Sequence, residues 1–195
     1  MAKANFSKAA ATRLALEVRS EIGLDAHEPL EPADLAEEYG IPIYCLGDLH
    51  LHGLSAEAIA HFSGTAGARF SAALIPIGSG CCIIENDGHA PTRRRTNLAH
   101  EMAHVIREHD FPLGAVLGPD GCRSVPAGVE EEADWLGGEL LITSESALRL
   151  ARQDASDLAV AELYGVSSRY AAMRMNASGA RKRVLRERQR RIKSR

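Results

Sequence analysis

Residues 96–110, TNLAHEMAHVIREHD, hold His100, Glu101 and His104 in the spacing H-E-x-x-H. Residues four apart on a helix lie one turn above one another, so both imidazoles can face a single ion. Glu101 stands about 100° round the axis from His100, outside the stacked pair but within reach of a water on the open side of an ion. A carboxylate so placed can take the proton of a water attacking a peptide carbonyl and pass it to the departing amine. With 8 His and 17 Glu in 195 residues, the chance of one accidental H-E-x-x-H is about 3%. The motif is therefore informative but needs a third ligand.

A catalytic zinc usually takes three protein ligands. The stretch EEEADWLGGELLI (130–142) supplies Glu130 and Asp134 four residues apart. Glu130 is the expected ligand, and Asp134 the acceptor for the other ring N–H of a ligand histidine, a contact that fixes the tautomer. Glu131 and Glu132 compete for the ligand role, and three glutamates at a helix N-terminus also complement the helix dipole. Glu130 is favoured because it alone stands four before Asp134. Two imidazoles and a carboxylate suit zinc, with manganese and iron left open.

These residues need elements to hold them. FSKAAATRLALEVRSEI (6–22) places Ala10, Leu14 and Val18 four apart, the spacing of an amphipathic helix that ends near Gly23. A second helix is expected at 31–39, between Pro32 and Gly40, and IPIYCL (41–46) reads as a strand. FSAALIP (70–76) and CCII (81–84), joined through Ile77 to Gly80, read as a hairpin. The histidine helix is expected to begin near Thr96 and to bury Leu98, Met102, Val105 and Ile106. Residues 111–129, with four Gly and three Pro, read as a long loop. The following helix, 130–142, carries Gly137 and Gly138, each costing about 1 kcal/mol relative to Ala, which a close helix contact would justify. Residues 154–175 read as two helices broken at Gly165-Val166-Ser167, with Ser167 as N-cap. The fold class is α+β, a small sheet packed with the H-E-x-x-H helix and a second ligand-bearing helix.

Composition bounds the rest. The chain is 45% hydrophobic and 25% charged, as expected of a globular domain. No run approaches the roughly 18 apolar residues of a membrane span, and the N-terminus lacks a signal peptide's apolar core, so no membrane association and a cytoplasmic location are expected. Cys45, Cys81, Cys82 and Cys122 lack C-x-x-C spacing and read as reduced thiols. The net charge of −3 hides an asymmetry: RKRVLRERQRRIKSR (181–195) holds nine Lys or Arg against one Glu, whereas the other 180 residues hold 14 Lys or Arg against 25 Asp or Glu. The basic end is expected to be a tail (177–195) that contacts nucleic acid weakly and nonspecifically, docks an acidic protein, or stays solvated. It has no aromatic residue for stacking. His50 and His52 would share a strand face. His61, His89 and His109 read as scattered surface or core histidines, with His89, His109, Tyr164 and Tyr170 open as oxyanion donors.

RRRTNLAHEMAH (93–104), EEEADWLGGELL (130–141) and IIEND (83–87) together resemble the ImmA/IrrE family of bacterial zinc metallopeptidases, which have a gluzincin-like arrangement. LAEEYGIPIY (35–44) and AELYGVSSRYAAMRM (161–175) are similar to its flanking patterns, so the likeness spans roughly residues 8–176. The chain departs from the family's usual residues at Thr96, Asn97, Ala103, Gly137-Gly138 and Ile142-Thr143, none of which is a proposed ligand or base. The resemblance implies one peptidase domain over 1–176 and a regulatory protease that cuts a helix-turn-helix transcriptional repressor. Within it His100, His104 and Glu130 would hold zinc, with Glu101 as the base. The 154–175 pair also has the cadence of a helix-turn-helix, which leaves a rival expectation: a non-catalytic DNA-associated regulator or toxin–antitoxin component on the same scaffold.

Overall fold

The computed structural model describes residues 6–63, 70–109 and 127–194. It is mixed α+β, mostly helical with one three-stranded sheet. The chain divides into two compact units, residues 31–137 and residues 1–30 with 138–195.

The first unit carries the sheet. Helix α2 (Pro32–Glu38) leads into β1 (Ile43–Cys45), a 3-10 turn (Leu46–His52) and α3 (Ala56–Ser63). Strands β2 (Ala72–Ile77) and β3 (Gly80–Glu85) form the expected hairpin. Its two-residue connection needs a left-handed first position, which Gly78 supplies with φ +58°. The strand order is β1-β3-β2, with β1 parallel to β3 and β2 antiparallel to it, so β2 is an edge.

Helix α4 (Pro91–Ile106) follows, starting five residues earlier than expected. Proline is suited to the first turn because its missing N–H would have no helical partner there. The added turn is tied down by Arg94 on Glu85 and Arg95 on Glu31. Leu98, Ala99, Met102 and Ala103 are buried, whereas Val105 and Ile106 are half-buried. Helix α5 (Ala127–Leu141) runs on from this unit, and the division between units falls between Gly137 and Gly138. A Cβ on Gly137 would lie 3.0 Å from the Ala99 carbonyl oxygen and 3.3 Å from His100 Cα. That glycine therefore lets α5 approach the backbone of α4 at the first histidine. Residues 127–129 of the expected long loop belong to α5, and the rest of that loop lies outside the described residues.

The second unit is helical: α1 (Lys8–Glu21), the end of α5, α6 (Ser144–Arg152), α7 (Asp157–Tyr164), α8 (Ser168–Ala177) and α9 (Ala180–Lys193). Ser7, Thr143, Ser156 and Ser167 each accept a backbone N–H as N-caps, satisfying donors that the first helical turn leaves over. Gly138 meets the Arg174 side chain rather than a helix backbone, its Cβ position lying 3.2 Å from Cδ. Arg174 pairs with Glu139, both fully buried, and donates from Nε to the Ile142 carbonyl. Glu139 also accepts from Thr12 and Ser144. Arg19, likewise buried, spends its guanidinium on the carbonyls of Asp25, Glu28 and Leu140.

The basic end is not a loose tail. Ala180 and Val184 are buried one turn apart, and α9 packs on α6 and α8. Arg181 pairs with Asp157, Arg188 with Asp154, and Arg152 and Arg183 with Glu187. Among the described residues no helix is long and apolar enough to cross a membrane.

Candidate metal centre

Helix α4 puts His100 and His104 on adjacent turns, and the first turns of α5 bring Glu130 to them. The two Nε2 atoms are 3.1 Å apart, and the Glu130 carboxylate oxygens lie 3.2 Å from His100 Nε2 and 3.5 Å from His104 Nε2. A tetrahedral zinc with bonds of about 2.0–2.1 Å has donor-to-donor edges of about 3.3 Å. The imidazole separation and the two carboxylate distances, one to each Glu130 oxygen, lie near that value, so His100, His104 and Glu130 could hold a metal ion.

The two rings are oriented differently. His100 Nδ1 lies 3.0 Å from Asp134 Oδ1, and the Asp134 side chain is 75% exposed. Burial alone would lower the His100 pKa, but hydrogen bonds to Asp134 and Glu130 and the charge of Glu101 overcome it and push it up to about 10. Without a metal this ring holds a proton, which a dication would displace. His104 is fully buried, and its Nδ1 lies 2.9 Å from His109 Nδ1. His109 Nε2 lies 3.3 Å from Glu132 Oε2, the oxygen that also accepts from Arg107 Nε and Nη2 at 3.2 and 2.8 Å. Burial would raise the Glu132 pKa, but the bonds from Arg107 and His109 bring it below the usual carboxylate range.

Glu101 is buried, and its Oε2 accepts the Leu74 N–H at 3.0 Å. Leu74 faces Ile83 in the ladder. Counting alternate pairs from the hairpin end makes that a non-hydrogen-bonded pair, so the Leu74 N–H points away from β3. The edge strand thus anchors one oxygen of Glu101, and the carboxylate charge is felt at His100.

The other candidates are dispersed. Glu131 is exposed, and Glu132 faces Arg107 and His109 rather than the cluster. His50 and His52 share no strand, because their segment is a 3-10 turn. His50 Nδ1 lies 2.8 Å from the Gly47 carbonyl, and the His52 ring packs edge-on against Tyr44. His89 Nε2 lies 3.0 Å from the Phe70 carbonyl. The Tyr164 hydroxyl donates to the His27 carbonyl, and Tyr170 sits on α8. Cys45, Cys81 and Cys82 are free thiols, each with its pKa raised by burial first of all. Cys122 lies outside the described residues. His109, which the sequence left among the scattered histidines, is the residue whose importance only the geometry brings out.

A family model, Peptidase_M78, described as the IrrE N-terminal-like domain, matches residues 52–176, which include the whole cluster. No curated protein and no solved structure matches the chain.

Proposed function

The chain belongs to the IrrE N-terminal-like peptidase family, and on that footing we propose that it is a zinc-dependent endopeptidase whose substrate is a helix-turn-helix transcriptional repressor. The observation that carries the reading is the meeting of two imidazole Nε2 atoms and one carboxylate at the edge lengths of a zinc tetrahedron. His100, His104 and Glu130 are the ligands, and Asp134 accepts the His100 Nδ1 proton so that its Nε2 lone pair faces the ion. Bound zinc would supply Lewis acidity, polarising the scissile carbonyl and acidifying the attacking water. Glu101, held by the Leu74 N–H, takes that water's proton as the C–O bond forms and delivers it to the amine nitrogen as the C–N bond breaks. The repressor substrate rests on the ImmA/IrrE resemblance, and it puts the reaction in the cytoplasm.

One observation keeps the DNA-associated rival in view. Lys182, Arg186, Arg190, Arg191 and Lys193 are exposed on α9, a surface suited to weak, salt-sensitive contact with phosphates. The two readings part on Glu101→Gln. Zinc-loaded wild type and variant are incubated with purified helix-turn-helix repressors from the same genome and the products read by mass spectrometry. Wild type should give a discrete cut, slowed about 10²–10⁴-fold in the variant. Equal behaviour of both, with DNA affinity that depends on residues 181–195, would favour the rival.

A further inference from the structure

The helix bearing the histidines ends in a way its sequence does not announce. After Ile106 and Arg107, the Glu108 N–H bonds the Val105 carbonyl at 2.9 Å and the His109 N–H bonds the His104 carbonyl at 3.1 Å. These are the two hydrogen bonds of a Schellman closure, with Glu108 in the left-handed position at φ +49°. Glycine adopts that conformation without strain and glutamate does not. The closure folds the residue after it back over the helix residue five before. That contact is normally apolar, but here it sets one imidazole against another, with His109 Nδ1 2.9 Å from His104 Nδ1 and both rings buried.

Two Nδ1 atoms at that distance share one proton, and the next contact says which ring owns it. An ionised Glu132 only accepts, so His109 Nε2, 3.3 Å from its oxygen, carries the hydrogen. In a neutral His109 ring the lone pair then lies on Nδ1, which makes His104 Nδ1 the donor. The remaining lone pair of His104 lies on Nε2, the atom that faces His100 and Glu130. The opposite assignment would set a lone pair of His109 against a carboxylate and drive the His104 proton into the ligand cluster. Arg107, donating to the same Glu132 oxygen, fixes the far end of the chain.

We propose that His109 is a positioning residue which, oriented by Glu132 and Arg107, holds the His104 proton on Nδ1 and so aims the Nε2 lone pair at the metal. The role rests on the metal site proposed above. It gives the buried ligand a partner inside the protein, where His100 has an exposed carboxylate.

The test is zinc affinity by competition with a chromophoric chelator, on wild type, His109→Phe and His109→Asn. The asparagine side-chain oxygen can occupy the place of the lost Nδ1 acceptor, whereas phenylalanine offers none. His109→Phe should bind zinc about 10–100-fold more weakly, and His109→Asn should recover most of that loss. Long-range 1H–15N spectra of metal-free wild type should show the His104 proton on Nδ1, a readout that holds even if a variant fails to fold. Undiminished zinc affinity in folded His109→Phe, or a His104 proton on Nε2, would overturn the positioning role while leaving the metal site standing. Wild type that takes up no zinc would overturn the site itself, and with it the role built on it.

Discussion

The two units bury polar groups to opposite ends. In the helical unit each buried charge among the described residues is answered within the protein: Glu139 meets Arg174 as well as Thr12 and Ser144, and Arg19 is covered by carbonyls. In the sheet-bearing unit, two imidazole nitrogens and a carboxylate come within 3.1–3.5 Å of one another, with a further carboxylate behind His100. Breaking a pair matched inside a fold leaves an uncompensated buried charge. Once the His100 proton is displaced, lone pairs aimed at a common point are matched by a cation from outside. The cluster around His100 is therefore read as a site, and the Glu139–Arg174 pair as framework.

Arg174→Met breaks this comparison at its strongest point, since it leaves Glu139 buried without its cation. The expected cost is about 3–5 kcal/mol of stability, read as a lower denaturation midpoint, while the zinc stoichiometry of the folded protein stays as in wild type. A loss of zinc at unchanged stability would reverse the roles assigned to the two regions.

The pH dependence sharpens the other side. In the metal-free protein His100 titrates at about 10, above its ordinary value of 6.5. A raised pKa stabilises the fold through the bound proton. That contribution is complete below about pH 6.5 and is lost as pH rises through about 10. Zinc must expel the same proton, so its affinity should climb about tenfold per pH unit between roughly 7 and 9, measured by chelator competition. A flat profile would mean that zinc binding displaces no proton from His100, and zinc content of His100→Ala would then tell whether the residue is a ligand at all.

Gly137→Ala should have the smallest effect. The added methyl meets the Ala99 carbonyl and His100 Cα, so α5 has to shift from α4, at a cost of about 1–3 kcal/mol. Because Glu130 rides on α5, zinc affinity should fall together with thermal stability. An unchanged affinity would show that the helix spacing at Gly137 does not set the ligand geometry.

Local periodicity made part of this legible in the sequence. His100 with His104, and Glu130 with Asp134, are four apart on helices, so their faces could be read directly. The hairpin showed in its two apolar runs and the turn around Gly78. His109 did not show, because five residues past His104 is off the helical period and the closure that brings it back has glutamate where glycine would have signalled it. Helix α3 does not show because it buries no residue, and α9 because eight basic residues mask the two apolar ones, Ala180 and Val184, that seat it. The start of α4 was placed too late because the arginines before Thr96 form ion pairs rather than an apolar stripe.

The most direct test of the central claim is metal content by mass spectrometry, on wild type and His104→Ala purified without added metal and again after zinc addition. About one zinc per chain is expected in wild type and a near-complete loss in the variant, because His104 supplies the fully buried ligand nitrogen. Wild type that neither carries zinc nor takes it up, or a His104→Ala protein that binds as much, would contradict that claim.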